Sequence, residues 1–299
     1  MINVGIITAD SPDTDPSLQL LEEIGKQEKA ATFVINPFSA IDKETVEKLD
    51  IVFPRISGHN EDKVARQINF YINLVKKYKL NYLGNLELMP TQKDKFIQSI
   101  LAQKAGLLIP ETRLLKDSDD FAHLVEELGV PFIVKACISY GGDDVFLISN
   151  DDEFRNLIKG RRYIVQKFIK LERTVDYRVY VIGGHVVCGL RRENDKKGEF
   201  RSNTKQGGKG IFFRPEEDLA KLALKYVKLT QIDLLSVDFI KKDDQYLFIE
   251  ANDAFSVNIK DEYKKIIIAE SILQYCQSKV LNPKGKKWLF HSQFLPELS

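Results

Sequence analysis

Over its first ninety residues the chain alternates short β-branched runs with charged stretches of helical periodicity, and this order restricts the fold more than any other feature. Val4 to Thr8, Thr32 to Ile35 and Asp50 to Pro54 are predicted strands, and Ile68 to Val75 is part of a predicted helix. Strands that alternate with helices usually form a parallel sheet covered by helices. Residues 1–90 are therefore predicted to form an α/β domain.

Beyond residue 90 the pattern changes to paired strands separated by turns. Val179 to Ile182 and His185 to Cys188 flank Gly183-Gly184, which is typical of a two-residue β-hairpin. Leu234 to Ile240 and Tyr246 to Glu250 flank a polar turn in the same way. Hairpins build antiparallel sheets, so this part of the chain is predicted to be α+β.

Charge and composition exclude several classes of protein. Lys and Arg total 44 against 43 Asp and Glu, so the net charge of +1 offers no global field for nucleic acid or an anionic membrane. No stretch approaches the roughly 18 apolar residues of a membrane span. Three cysteines without CxxC spacing argue against a disulfide framework or a zinc site, and a cytoplasmic location is expected.

The second hairpin brings acidic residues together. A turn near residue 244 places Asp238 opposite Glu250, and the two-residue period places Asn252 on the face of Glu250. Two carboxylates about 5 Å apart repel each other and are usually compensated by a cation. Oxygen ligands favour Mg²⁺ or Mn²⁺ shared with substrate phosphates. The alternative is a pair of solvated acids at the rim of an edge strand.

Lys135 interrupts the apolar run Pro131 to Ala136, which is predicted to be a hairpin strand. It is either an exposed charge on an edge strand or a cation aimed at an anion in a cleft. The turn Gly141-Gly142 would let backbone amides approach a phosphate. Gly207 to Gly210 lacks the remaining residues of a Walker A motif.

Arg191 to Arg214 carries eight basic and three acidic residues together with four glycines. This composition predicts a mobile loop that closes over a polyphosphate, with Arg as the phosphate-binding residue. A solvated surface loop and an RNA-contacting arm are the alternatives. We do not expect nucleic acid as a partner, because few aromatic side chains accompany the charges.

The order of these parts resembles that of the ATP-grasp ligases, and within them the RimK-like group, which includes α-L-glutamate ligases that modify the C-terminus of a ribosomal protein. The resemblance spans residues 50 to 252 and rests on these motifs: Asp50-Ile51-Val52-Phe53-Pro54-Arg55-Ile56, Lys93-Asp94-Lys95, Ile133-Val134-Lys135, Gln166-Lys167-Phe168-Ile169, Asp176-Tyr177-Arg178, Gly198-Glu199-Phe200-Arg201-Ser202-Asn203 and Glu250-Ala251-Asn252. It implies an α/β N-terminal domain followed by an α+β ATP-grasp domain made of two subdomains with antiparallel sheets. The predicted boundaries are residues 1–90, 91–160 and 161–299.

The resemblance also implies a role for each motif. Lys95 and Lys135 would bind nucleotide phosphates, Lys167 and Phe168 would meet adenine, and Asp176 would face the ribose. The residues that contact the phosphates and the reacting carboxylate would be Arg201, Ser202 and Asn203, with Arg201 and Asn203 catalytic. The ligands of two Mg²⁺ or Mn²⁺ ions would be Asp238, Glu250 and Asn252.

The function implied is that of an ATP- and magnesium-dependent carboxylate–amine ligase. A carboxylate attacks the γ-phosphate, and an amine then displaces phosphate from the acylphosphate. Such an enzyme adds glutamate or a similar amino acid to a peptide or a small molecule. The alternatives are a small-molecule amino-acid ligase and a nucleotide-binding regulatory module without turnover.

One segment departs from the group. Asp253-Ala254-Phe255-Ser256 stands where relatives usually have a small residue followed by Pro-Gly, near the acceptor, so the acceptor is left open. The sequence also leaves open the acid, the amine, the number of additions, the role of the tail at 282–299, and whether the chain forms a homo-oligomer.

Overall fold

The computed structural model describes residues 1–13, 15–56, 58, 60–139, 141–157, 160–203, 206–253 and 262–282. Residues 254–256 of the departing segment and residues 283–299 of the tail lie outside the described residues. The described chain forms one parallel and two antiparallel sheets, which follow one another in sequence. This architecture confirms the predicted fold class.

The first sheet is parallel and has the strand order β2-β1-β3-β4. Its strands are β1 (Ile2–Ile7), β2 (Ala30–Ile35), β3 (Ile51–Pro54) and β4 (Asn81–Tyr82). Its helices are α1 (Pro16–Gln27), α2 (Lys43–Glu47) and α3 (Glu61–Tyr78). Because successive side chains of a strand point to opposite faces, Ile6 packs in one cluster with Leu21 of α1, and Ile7 in another with Ile68 of α3.

The second sheet is antiparallel and has the order β5-β8-β6-β7. Its strands are β5 (Thr112–Leu114), β6 (Phe132–Ala136), β7 (Val145–Ile148) and β8 (Tyr163–Lys167), and the helices α5 (Phe121–Leu128) and α6 (Asp151–Arg155) accompany them. The predicted hairpin of β6 and β7 is confirmed. β8 follows the predicted boundary at residue 160 but pairs with β5 and β6, and the domain boundaries stay predictions.

The third sheet is antiparallel and has the order β11-β10-β9-β12-β13. Its strands are β9 (Thr174–Ile182), β10 (His185–Asn194), β11 (Lys209–Phe213), β12 (Leu234–Lys242) and β13 (Gln245–Asn252). The helices of this part of the chain are α4 (Lys95–Lys104), α7 (Glu217–Thr230) and α8 (Glu262–Leu281). Ala102 of α4 and Ala223 of α7 share a buried cluster with β9, β12 and β13.

Both predicted hairpins of this sheet are confirmed, but the prediction of one mobile loop over residues 191–214 is wrong. Arg191 to Asn194 continue β10, and Lys209–Phe213 pair with β10 as β11. The β-branched and aromatic residues Ile211, Phe212 and Phe213 favour this strand, although glycines surround them.

β12 and β13 are paired with one irregularity. Asp238 lies opposite Glu250, but the next residue, Phe239, lies opposite Phe248, so Ile249 is an extra residue of a β-bulge. Phe239 and Phe248 pack in the buried cluster under the sheet, whereas Asp238, Ile249 and Glu250 line the cavity above it. The bulge therefore turns two successive side chains of β13 to the same face.

Hydropathy adds one finding on the helices. Within the described part of the chain, every helix is too short or too polar to span a lipid bilayer.

Candidate active site

A cavity of about 480 Å³ lies between the second and third sheets. All eleven residues singled out from the sequence line it: Lys95, Lys135, Lys167, Phe168, Asp176, Arg201, Ser202, Asn203, Asp238, Glu250 and Asn252. They come from α4, from both antiparallel sheets, from the residue that follows β8 and from the segment before β11. The structure thus brings every predicted site residue to one place, while the role of each stays a prediction.

Two arginines and two aspartates form what we call the arginine cluster, made of Asp176, Arg178, Arg192 and Asp238. Arg178 Nε and Nη2 donate to Asp238 Oδ1 and Oδ2, each over 2.7 Å, and Arg192 Nη2 donates to Asp238 Oδ2 over 2.8 Å. Arg192 Nε and Nη2 also donate to the two oxygens of Asp176, each over 2.6 Å. The Ser202 hydroxyl donates to Asp176 as well. The cluster carries no net charge.

Cross-strand register assembles this cluster. Asp176 lies opposite Arg192 in the β9–β10 ladder, and Asp238 lies opposite Arg178 in the β9–β12 ladder. Directly opposed residues of opposite charge stabilise a sheet. Arg178 and Arg192 were not among the predicted site residues, although counting from the Gly183-Gly184 turn places Arg192 near Asp176.

The charge of Asp238 is balanced by the arginines. A metal cation was predicted to compensate this carboxylate, but Arg178 and Arg192 already do so. Burial raises the pKa of Asp238, and the two guanidiniums more than offset this effect, so its pKa lies below its usual value. Asp238 is 2% exposed, and both of its oxygens accept hydrogen bonds.

The remaining oxygen donors lie on β13. Asn252 Nδ2 donates to Glu250 Oε1 over 3.1 Å, so the amide and the carboxylate face the cavity together. Among the described residues no three His, Cys, Asp or Glu side chains are close enough to hold a metal ion by themselves. Mg²⁺ is usually bound by one or two carboxylates together with waters and substrate phosphates. Glu250 and Asn252 are donors of this kind, whereas both oxygens of Asp238 already accept hydrogen bonds from arginines, so the metal ligands stay a prediction.

Two buried lysines, Lys95 and Lys135, form what we call the lysine cluster. Lys95 Nζ donates to the carbonyl oxygen and the hydroxyl of Ser139 over 3.1 and 3.0 Å. The ammonium of Lys135 has no hydrogen bond or ion pair with another residue of the described chain. Burial lowers the pKa of both lysines, that of Lys135 from 10.5 to about 8, and nearby Glu250 partly opposes this shift.

The burial of Lys135 decides between the two interpretations of its sequence context. Its strand, β6, lies between β8 and β7 and is not an edge strand. Lys135 is 8% exposed and lines the cavity. The exposed-edge interpretation is wrong, since a buried cation without an ionic partner suits a site that receives an anion.

Arg201 connects the two sides of the cavity. Its Nε and Nη2 donate to the two carboxylate oxygens of Glu199 over 2.8 and 2.9 Å, and its Nη1 donates to the carbonyl oxygen of Gly142 over 2.9 Å. Gly142 has φ of +79°, and a Cβ there would lie 3.1 Å from Asn203. The glycine is therefore needed for the close approach of these two loops.

Several apolar side chains line the cavity. Ile133, Val145 and Ile249 line it together with Phe168, whose ring meets Phe200 edge-on at 6.3 Å between centroids. Such a slot suits a flat aromatic base. Phe168 was among the predicted site residues but the three aliphatic residues were not, because an aliphatic residue in a strand carries no sign of which cavity it lines.

The cavity and its charges resemble the site of a nucleotide-dependent ligase. The chain matches the RimK-like ATP-grasp domain over residues 92–276, and it belongs to this family. It is therefore an ATP-grasp ligase, a class of enzyme that forms C–N bonds between a carboxylate and an amine with ATP as a substrate.

Curated relatives agree with this assignment. The chain is 32% identical over 206 residues to the "Probable alpha-L-glutamate ligase 2" of Hahella chejuensis, which covers 65% of this chain and 67% of the relative. It is 28% identical over 222 residues to the "Coenzyme gamma-F420-2:alpha-L-glutamate ligase" of Methanocaldococcus jannaschii, covering 70% of this chain and 75% of the relative.

Solved structures share the fold at lower identity. The D-alanine–D-alanine ligase of Bacillus anthracis complexed with ATP superimposes with a TM-score of 0.68 at 16% identity, covering 94% of this chain and 98% of that one. A RiPP-associated ATP-grasp ligase of Chryseobacterium gregarium, in complex with ADP and a leader and core peptide, has a TM-score of 0.68 at 18% identity. It covers 93% of this chain and 97% of that one. At these identities the likeness concerns the fold.

Proposed function

We propose that this ligase activates a carboxylate as an acylphosphate with ATP and magnesium, and joins it to the amine of glutamate or a similar amino acid. One observation carries the proposal: a single cavity holds buried cations, oxygen donors for magnesium and an apolar slot. The names of the two relatives support an amino acid as one substrate, since both are called alpha-L-glutamate ligases. The acceptor of each added residue is a small molecule or a peptide.

Each group of site residues has a proposed role that follows from its chemistry. Lys95 and Lys135 bind phosphate oxygens, while Lys167 and Phe168 border the base and Asp176 faces the ribose. Arg201, Ser202 and Asn203 face the transferring phosphoryl group and the attacking carboxylate. Phosphoryl transfer depends mainly on positioning and charge neutralisation, so the guanidinium of Arg201 contributes most where charge develops.

Asp238, Glu250 and Asn252 would hold the magnesium. The ion supplies neutralisation of charge on the phosphate oxygens. Glu250→Gln removes the carboxylate that the arginine cluster leaves unpaired, so turnover should be lost while the fold remains. A variant with normal turnover would remove Glu250 from the metal site.

Hydroxylamine tests the proposal without knowledge of the amine. It captures an acylphosphate as a hydroxamate, so the enzyme is incubated with ATP, Mg²⁺, hydroxylamine and a panel of amino acids, peptides and other carboxylates. A carboxylate-dependent hydroxamate with release of ADP is expected. A regulatory module would bind ATP and yield neither product, which would overturn the proposal.

Arg201→Ala sharpens the same assay. Interactions made only in the transition state appear in kcat, so this variant should lower kcat for hydroxamate more than it raises KM for ATP. Arg155→Ala is the matched control, because Arg155 lies on an exposed helix and pairs only with Asp151 among the described residues. Wild-type kcat in Arg201→Ala would place the segment at 201–203 outside the reaction.

A further inference from the structure

A second, smaller pocket adjoins the magnesium end of the cavity. Its volume is about 30 Å³, which is room for about two water molecules. It shares four lining residues with the main cavity: Lys95, Ser139, Glu250 and Asn252. Its other wall includes Ile56 and Gly58, from the loop that follows β3. The pocket thus lies where the ligase domain meets the parallel sheet, next to the proposed site of phosphoryl transfer.

An ion pair forms part of the wall of this pocket. Lys93 Nζ contacts Asp253 Oδ1, and Gln92 Nε2 donates to Asp253 Oδ2. The side chains of Lys93 and Asp253 are 16% and 8% exposed. Lys93 precedes α4 by two residues, and Asp253 directly follows β13. The two charges therefore face the pocket from two different elements.

This ion pair is not needed to join α4 to β13. Gln98 already does so: its Nε2 donates to the carbonyl oxygen of Ala251 over 2.8 Å, and its Oε1 accepts from the Ala251 amide over 3.1 Å. A buried ion pair contributes little net stability, because desolvation of both charges offsets their attraction. Lys93 and Asp253 therefore call for another explanation.

The charged residues of this pocket indicate which kind of ligand would bind there. Among the described residues, the charged ones in the pocket wall are Lys93, Lys95, Glu250 and Asp253. Under the proposed function, Lys95 and Glu250 are engaged by phosphate and magnesium, which leaves one ammonium and one carboxylate. The pocket is too small for an amino acid beside an intact ion pair, so a head group enters only by replacing the contact between Lys93 and Asp253.

We propose that Lys93 and Asp253 are specificity-determining residues that bind the zwitterionic head group of a free α-amino acid, the amine substrate of the reaction. Lys93 binds its carboxylate and Asp253 binds its amino group. This inference rests on the proposed function and assigns to it the residues that recognise the amine. A simple amine or a peptide N-terminus lacks the adjacent carboxylate and would leave Lys93 buried without a partner.

Competition against hydroxylamine tests the inference. With an acid identified by the hydroxamate assay, each of the twenty common amino acids is added, and the most effective one is titrated to find the concentration that halves hydroxamate yield. With the wild-type enzyme, the α-amide of that amino acid, which lacks the carboxylate, should halve the hydroxamate yield only at a concentration at least about tenfold higher. Asp253→Asn should raise the half-inhibiting concentration of the amino acid at least about tenfold, with the rate of hydroxamate formation within twofold.

Lys93→Met should abolish the discrimination between the amino acid and its α-amide. Glu127→Gln is the matched control, since Glu127 pairs with Arg113 and lines neither pocket, and it should change neither concentration. The exchange of both charges, Lys93→Asp with Asp253→Lys, restores an ion pair with reversed polarity. It should restore the melting temperature but not the affinity for the amino acid.

The outcomes separate the two proposals. If no carboxylate yields a hydroxamate with the wild type, the proposed function fails. If hydroxamate forms but no amino acid competes, or if the α-amide competes equally well with the wild type, the inference alone is overturned. The inference is also overturned if Asp253→Asn folds and keeps the wild-type response. If Asp253→Asn does not fold, Lys93→Met takes its place in this test.

Discussion

The lysine cluster and the arginine cluster line one cavity, yet they are built in opposite ways. Lys95 and Lys135 are buried cations whose pKa values are lowered by burial, and Lys135 has no ionic partner in the described chain. In the arginine cluster each guanidinium is paired with a carboxylate, as for Arg178 with Asp238. The charges of the arginine cluster are balanced within the protein, whereas the ammonium of Lys135 would gain a partner only when an anion binds.

This difference separates two uses of buried charge. A buried cation without a partner costs folding free energy, and the cost is recovered when phosphate binds. A neutral, fully hydrogen-bonded network costs little and fixes the positions of its members. We therefore expect substitutions in the arginine cluster to affect stability first, and substitutions in the lysine cluster to affect nucleotide affinity first.

The largest effect is expected for Asp238→Ala. It leaves Arg178 buried without a carboxylate and removes one of the two partners of Arg192, so the free energy of unfolding should fall by about 3–5 kcal/mol. Urea denaturation measures this loss. The double variant Arg178→Met with Asp238→Leu removes both charges and should recover part of it. A loss below about 1 kcal/mol for Asp238→Ala would contradict the distinction between the clusters.

Lys135→Ala should weaken ATP binding by about 1.5–3 kcal/mol, as is typical of a lost charge-assisted hydrogen bond. The free energy of unfolding of Lys135→Ala should not fall as it does for Asp238→Ala, because the substitution removes a buried charge that has no ionic partner. Calorimetric titration with ATP and Mg²⁺ measures the affinity, with Arg155→Ala as the control. Equal affinity of Lys135→Ala and the wild type would mean that Lys135 does not contact phosphate.

A smaller effect follows from the pKa of about 8 for Lys135. The free protein loses this proton as the pH rises through 8, and phosphate binds the charged form, so ATP affinity should fall about tenfold between pH 7 and pH 9. Lys135→Arg keeps its charge and should not show this fall. Between pH 8 and 10.5 the unfolded chain holds more protons than the folded one. Stability should therefore rise with pH over that range in the wild type but not in Lys135→Met.

Short-range rules were enough to place much of this site. A turn near residue 244 predicted Asp238 opposite Glu250, and the register confirms this pair, although the two-residue turn at Asp243 and Asp244 produces it only together with the bulge at Ile249. The same rules did not reveal that Arg192 also reaches Asp238, because that contact crosses the whole width of β9 between β10 and β12. Contacts between strands that are not adjacent depend on the order of the sheet, which a single sequence does not determine.

The burial of Lys135 is a second feature that short-range rules could not predict. Its sequence context predicted a lysine within a hairpin strand, and the strand is confirmed. Whether that strand lies at an edge depends on the pairing of β6 with β8. β8 begins at Tyr163, 27 residues after β6 ends at Ala136. Burial, and with it the shifted pKa, follows from that distant pairing.

The bulge at Ile249 limits how the length of this strand can vary. Because Ile249 is an extra residue, deleting it would straighten β13, and the regular two-residue period would then turn Phe248 away from the buried cluster or Glu250 away from the cavity. A conservative substitution of Ile249 does not change the number of residues in β13, so Phe248 stays in the buried cluster and Glu250 stays in the cavity. Homologous chains with a working site of this kind should therefore vary in residue type at this position, while insertions and deletions accumulate in the turn at Asp243 and Asp244 instead.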